Sequence, residues 1–259
     1  MYRPDSDELR AARAQLVSYS ARLLDDGLAV GSAGNLSMRV GDVVAITPSG
    51  IGYDELRAAD VCVVTLDGAE LDAPEAPSSE TPMHLAIYAA SPARAVVHTH
   101  SAEVIALSSA RDELPAVHYA ITGLGGPVRV ARYVRFGSAG LAEAAVAALD
   151  GRRAAILANH GGITYGGSLA EAYDRALLLE WLARVYRLAR SYGEPAILSA
   201  AQLADVAAES RRRRYGEGRG RRPDEPSGGE PSGGEPSPGE PSPGDGQHTD
   251  GQHSDGAPS

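Results

Sequence analysis

PARAVVHTHS (residues 92–101) carries an apolar run, Ala95 to Val97, that ends in two histidines one residue apart. The β-branched run reads as a strand and a helix follows from about Ser101, which places the chain among the α/β proteins. Side chains alternate along a strand, so His98 and His100 share one face at its end, within reach of a single metal ion. The same spacing also suits a strand that merely ends in polar residues. A zinc site needs a third protein ligand, and a catalytic one keeps an open position besides.

The flanking sequence supplies the other elements. Residues 5–26 have helical periodicity through Leu9, Leu16, Leu23 and Leu24, with Asp5 and Glu8 as an N-terminal cap pair and Gly27 at the exit. VGSAGNLSMRV, DVVAITPSG and VCVVTL each read as a strand beside a polar turn. PSSETPMHLAIYAA starts a helix, with hydroxyl residues and Glu80 ahead of Pro82 in the first turn. AVHYAI and VRVARYV read as further strands, SAGLAEAAVAALD as a helix, and AAILANHGG as a strand running into a glycine turn. A long helix begins at SLAEAYDRALLLEW, and a last one covers about Ser199 to Arg213. Several strands are joined too tightly for parallel crossovers. The expected fold is one α/β domain with a mixed central sheet flanked by helices on both faces.

From Arg211 to Ser259 no Leu, Ile, Val, Phe or Trp occurs, and pentads repeat from Glu225, Glu230, Glu235 and Glu240. Such a segment buries too little apolar surface to offset its ordering entropy. The expected division is therefore an ordered domain over residues 1–210 and a disordered low-complexity tail over 211–259.

The net charge of -10 and the lack of a basic face argue against nucleic acid as a partner. No run approaches the ~18 apolar residues of a membrane span, and MYRPDSDELR is no signal peptide. A soluble, cytoplasmic protein is expected. Cys62 is the only cysteine, in an apolar strand, and reads as a buried, inert thiol. The 24 basic residues are all arginine, so a Schiff-base lysine is excluded.

His160 in ILANHGG lies just past an apolar strand, where α/β folds tend to place sites, and the glycines after it allow close backbone approach. It is the best third ligand. His84 lies within the helix after Pro82, suited to a core-lining or a partly exposed place, and His118 lies in AVHYAI. Glu80 at a helix start is either a dipole partner or a site carboxylate. Ser78 and Ser79 offer hydroxyls and N–H groups at that helix end, an anion site by nature. GSAGN (31–35) and TPSG (47–50) have similar chemistry. Three donor-rich turns beside three histidines point to a phosphorylated substrate held over a metal.

GSAGNLSMR (31–39), ITPSGIGYDEL (46–56), PSSETPMHLAIY (77–88), AVVHTHS (95–101), PAVHYAI (115–121), YVRFGS (133–138) and ILANHGGITYG (156–166) stand in a familiar order. Over about residues 8–205 the chain resembles the class II aldolase and adducin head family. The resemblance implies that family's three-layer fold and a zinc-dependent aldolase. The implied reaction cleaves a ketose 1-phosphate, such as L-fuculose 1-phosphate, reversibly to dihydroxyacetone phosphate and an aldehyde. His98, His100 and His160 match the family's zinc ligands, and Glu80 matches the carboxylate that completes the metal shell and then acts as base. Gly34 and Asn35, Ser49 and Gly50, and Ser78 and Ser79 match its phosphate-holding turns. Tyr119 matches a tyrosine that moves a proton in a neighbouring subunit's site, within a homotetramer whose sites lie between subunits. Phe136 matches a position near the site, where a packing role fits equally. Glutamate at position 80 favours aldolases over the family's ribulose-phosphate 4-epimerases, which carry aspartate there. Aldolases of deoxy- or methylthio-pentulose phosphates and phosphotetronate decarboxylases share much of the set, and adducin heads keep the fold as interaction modules without catalysis.

Overall fold

The computed structural model describes residues 3, 4 and 6–213; of the tail expected from 211, Arg211 and Arg212 instead end a helix, and residues from 214 onward lie outside the described ones. The chain begins with helix α1 (Asp7–Asp25), whose buried Leu9, Leu16 and Leu23 recur every seven residues, about two turns, and so form one stripe. Ser6 caps it, its Oγ accepting from the Leu9 N–H at 3.3 Å. Asp5, the expected cap, lies outside the described residues.

Strands β1 (Asn35–Val40), β2 (Val43–Ile46), β3 (Cys62–Thr65) and β4 (Glu70–Asp72) follow, then α2 (Thr81–Ala90), β5 (Ala95–Thr99) and α3 (Ala102–Ser108). The second half contains β6 (Glu113–Leu114), β7 (Val128–Ala131), α4 (Ala139–Leu149), β8 (Ala154–Leu157), β9 (Gly161–Gly166), α5 (Leu169–Tyr192) and α6 (Ala200–Arg212). They form one nine-stranded mixed sheet in the order β4-β3-β2-β1-β5-β9-β8-β7-β6. Only β7 and β8 pair in parallel; every other pairing is antiparallel.

Period-two alternation sends successive side chains to opposite cores. Val43, Ala45, Val63, Ala95 and Val97 pack with the α1 leucines, whereas Val44, Val64 and Val96 pack with Met83, Ile87 and Tyr88 of α2 and Leu141 and Ala145 of α4. A third cluster joins Ala154 and Ile156 of β8 to Val104 and Leu107 of α3. Helix α5 ties two of these cores together, with Ala172 and Tyr173 in one and Leu179 and Leu182 in the other. Cys62 is fully buried, and burial pushes its thiol up to about 11. No helix among the described residues is long and apolar enough to cross a membrane.

Three local expectations are corrected. AVHYAI is not a strand. His118 accepts from the Ala120 N–H at 3.2 Å, Gly125 closes the segment at φ 90, and Tyr119–Leu124 winds into a 3-10 helix. These local side-chain and glycine terms override the alternation of apolar residues. VRVARYV is extended only over Val128–Ala131, after which the chain leaves the sheet. The glycines after His160 do not make the turn; Gly161 already starts β9, and the turn is made by Asn159 at φ 54.

Gly161 meets the strand beside it with no room to spare, since a Cβ there would lie 2.0 Å from the Thr99 carbonyl oxygen. Gly161→Ala is expected to lower stability by at least about 2 kcal/mol, because backbone on both sides must move. A urea midpoint equal to that of the parent protein would contradict the tight β5–β9 seam.

Candidate active site

At the ends of these strands the chain gathers its polar residues. His98, next to last in β5, points to the α2 side, and its Nδ1 donates to the Gly162 carbonyl at 2.8 Å. A carbonyl oxygen can only accept, so Nδ1 carries the proton and Nε2 faces inward. His100 follows two residues later, anchored by its N–H to the Leu28 carbonyl at 2.9 Å. His160 is delivered by the β8–β9 turn. The three ring centroids form a triangle 4.8 Å on every side.

Glu80 occupies the N-cap of α2, yet its carboxylate makes no cap bond. It turns to the histidines instead, with Oε2 at 2.9 Å from His98 Nε2 and Oε1 at 3.3 Å from His160 Nε2. His98 and His100 Nε2 are 3.0 Å apart. Ligand atoms of Glu80, His98, His100 and His160 all lie within 4.8 Å of one another. These are acceptors aimed at a common point, and among the described residues Glu80 Oε1 is buried without a hydrogen-bond partner. Only a proton or a cation among them reconciles such a set. Three imidazole nitrogens and one carboxylate oxygen fit a divalent metal.

A cleft of about 390 Å³ opens on this cluster. On one side are the three turns: Ser32, Gly34 and Asn35, then Ser49 and Gly50, then Ser78 and Ser79. The second and third are stapled together, since the Ser49 Oγ donates to the Pro77 carbonyl at 3.2 Å and accepts from the Ser79 N–H at 3.1 Å. The first is braced by Tyr53, which donates to the Gly34 carbonyl at 2.7 Å. Gly34 itself sits at φ +84, where a Cβ would come 2.7 Å from the His98 carbonyl oxygen. Tyr133, Val134 and Phe136 line the cleft as well. Among the described residues no arginine lines the cleft, where hydroxyls and backbone N–H groups predominate.

The expected residues do not all behave alike. Asn35 borders the cleft, but its side chain is committed to Glu80, donating to Oε2 at 2.9 Å. Tyr119 is 55% exposed, stacks on His118 and does not line the cleft of its own chain. His84, for which two settings were open, is fully buried. Tyr53 and Asn159 are additions. A tyrosine within a turn motif and an asparagine beside a ligand-like histidine were the available signals, but neither side chain discloses its partner from sequence.

A model of the class II aldolase and adducin N-terminal domain matches residues 14–187. The chain belongs to the class II aldolase and adducin family. It is 38% identical over 202 residues to a 5-deoxy-D-ribulose 1-phosphate aldolase of Bacillus thuringiensis, covering 77% of this chain and 95% of that one. It is 39% identical to a 5-methylthioribulose-1-phosphate/5-deoxyribulose-1-phosphate aldolase of Rhodospirillum rubrum, covering 76% and 89%. A solved L-fuculose 1-phosphate aldolase superposes with a TM-score of 0.75 at 35% identity, over 78% of this chain and 96% of that structure. The mixed sheet with helices on both faces is therefore this family's fold.

The cluster also sets an acid response. Burial, reinforced by the nearness of His98, pushes His84 and His100 down to about 3 and His160 to about 4. Histidines of an unfolded chain titrate near 6.5, so below that pH unfolding takes up protons and stability falls as pH falls. Glu80 acts in the same direction. Burial opposes its ionisation, but the nearby His98, the Asn35 amide and His160 outweigh burial and hold the carboxyl well below the usual range. Its contribution is present above the unfolded carboxyl's value and lost as pH drops below it. Metal-free protein is expected to unfold at lower urea concentration at pH 5 than at pH 7; an equal midpoint would mean that these groups are not held neutral and ionised as described.

Proposed function

We propose that the chain is a zinc-dependent class II aldolase that cleaves a ketose 1-phosphate reversibly to dihydroxyacetone phosphate and an aldehyde. One observation carries the reading: a buried set of three histidines and a glutamate shares a cleft with three donor-rich turns. His98, His100, His160 and Glu80 would hold the metal, and zinc suits this nitrogen-rich set. When bound, the ion would supply Lewis-acid polarisation of the substrate's oxygens.

The remaining roles belong to the chain. Gly34 and Asn35, Ser49 and Gly50, and Ser78 and Ser79 hold the phosphate, and the binding energy of that remote group orients the reacting carbons. Glu80, kept ionised by its neighbours, exchanges the proton of the three-carbon fragment. Tyr119 serves the aldehyde oxygen of a neighbouring subunit's site in a homotetramer. Its exposure and its absence from the cleft of its own chain support that arrangement. Residues 1–210 carry all of these groups, and we assign no role in the site to residues 211–259.

The apolar wall of Tyr133, Val134 and Phe136 supports a substrate whose far end lacks a hydroxyl. The substrates in the relatives' names share that property: 5-deoxyribulose, 5-methylthioribulose and fuculose phosphates all end in a methyl or methylthio group.

The test incubates zinc-loaded protein with 5-deoxyribulose, 5-methylthioribulose and L-fuculose 1-phosphates, with coupled detection of dihydroxyacetone phosphate. Chelator-sensitive release from at least one is expected; no release from any overturns the aldolase reading. Ribulose 5-phosphate epimerisation, or decarboxylation of a phosphorylated acid, would assign the same site another reaction. Glu80→Gln is expected to cut kcat by about 10²–10⁴-fold, the usual worth of a general base, and near-normal turnover would remove it from the mechanism. His160→Ala is expected to purify without zinc, and full zinc content would remove His160 from the ligand set.

A further inference from the structure

Behind Glu80 runs a chain of side chains that the proposed reaction leaves unexplained. Glu80, His84 and Tyr88 are spaced four apart and share one stripe of α2, while Asn35 and Ser37, two apart, share one face of β1. Four residues of helix rise about 6 Å and two of strand about 6.8 Å, so the two rows interleave. Asn35 Nδ2 donates to Glu80 Oε2 at 2.9 Å, and Asn35 Oδ1 lies 2.6 Å from His84 Nε2. His84 Nδ1 is 2.7 Å from Ser37 Oγ, which is 2.8 Å from the Tyr88 hydroxyl. All five residues are at least 95% buried.

The chemistry of each partner sets one direction along this row. An ionised Glu80 can only accept, so the Asn35 amide must present its NH₂ to it and its oxygen to His84. That oxygen also only accepts, so His84 must carry its proton on Nε2. Nδ1 is then bare and takes the Ser37 hydroxyl proton, and Ser37 in turn accepts from Tyr88. Reversing any one bond would set two acceptors against each other somewhere along the row, or turn the Asn35 oxygen toward the carboxylate.

We infer that His84 is a positioning residue: locked as its Nε2–H tautomer by Ser37 and Tyr88, it fixes the Asn35 amide so that the amide donates to Glu80. The inference rests on the reading of Glu80 as the base of the site. Without the lock, the Asn35 amide is free to rotate and Glu80 loses the amide donor that Asn35 supplies.

Neutron diffraction on deuterium-exchanged, full-length protein tests the direction without relying on activity. Deuterium is expected on His84 Nε2 and absent from Nδ1; the opposite placement overturns the inference. The second arm compares His84→Leu with His84→Gln, whose amide can still donate toward Asn35. We expect His84→Leu to lower kcat by 10-fold or more, the usual effect of losing an outer partner, with little change in KM. His84→Gln is expected to recover most of it. Equal turnover in both variants and the parent, or equal losses in both, overturns the positioning role, and if His84→Leu does not fold, recovery in His84→Gln and the neutron result still decide it. Should the parent protein prove to hold no zinc and cleave no ketose phosphate, the function reading fails alone, and the tautomer still settles the hydrogen-bond row.

Discussion

The carboxylate of Glu80 and the Nε2 of His98 lie 2.9 Å apart in the protein interior, with the Nε2 atoms of His100 and His160 close by. Charge and lone pairs concentrated in this way are costly to bury unless something positive lies among them and the outward-facing atoms are satisfied. Much of the molecule meets that constraint. The Gly162 carbonyl holds His98 from behind, the Leu28 carbonyl anchors His100, and Asn35 steadies the carboxylate. The supports come from β9, from the loop after α1 and from β1, so the cluster depends on the packing of segments far apart in sequence.

The two faces of the sheet divide the work. The face toward α1 is apolar from Leu9 to Val97 and stabilises in the ordinary way, each fully buried leucine contributing about 1.5–3 kcal/mol. The α2 face begins equally apolar with Val44, Val64 and Val96, but admits Ser37, His84 and Tyr88 where β1 and α2 meet. Those polar groups are tolerated because each hydrogen bond finds a partner within the row. Their linear order leads from the core to Glu80, so the carboxylate is tied by hydrogen bonds to the packed interior.

Close backbone approach is the second device. Gly161 lets β9 begin immediately after His160, and Gly34 lets the first donor-rich turn lie against the His98 carbonyl. Asn159, at positive φ, bends the chain between β8 and β9, with its N–H held by Ser108 Oγ at 2.9 Å. Together they bring the three small-residue turns and the Glu80, His98, His100 and His160 cluster to one cleft.

Much of this was legible from sequence because it rests on periodicity and residue chemistry. H-x-H on a strand implies a shared face, N-H-G-G after an apolar run implies a site at a strand end, and small hydroxyl residues before a proline imply a helix start. These readings need only the chain's own geometry. The segment around Tyr119 defeated the same reasoning because the His118 side chain and Gly125 compete locally with strand pairing, and alternation cannot register that competition. Neither the commitment of Asn35 to Glu80 nor the place of His84 could be read in advance. An N-x-S strand and an E-x₃-H-x₃-Y helix acquire meaning only when packed against each other, and that contact spans more than forty residues of sequence. The sequence by itself therefore determined which groups this protein carries and which face of its own element each occupies; tertiary structure alone decided which faces meet, because hydrogen-bond partners between elements are chosen by packing and not by spacing along the chain.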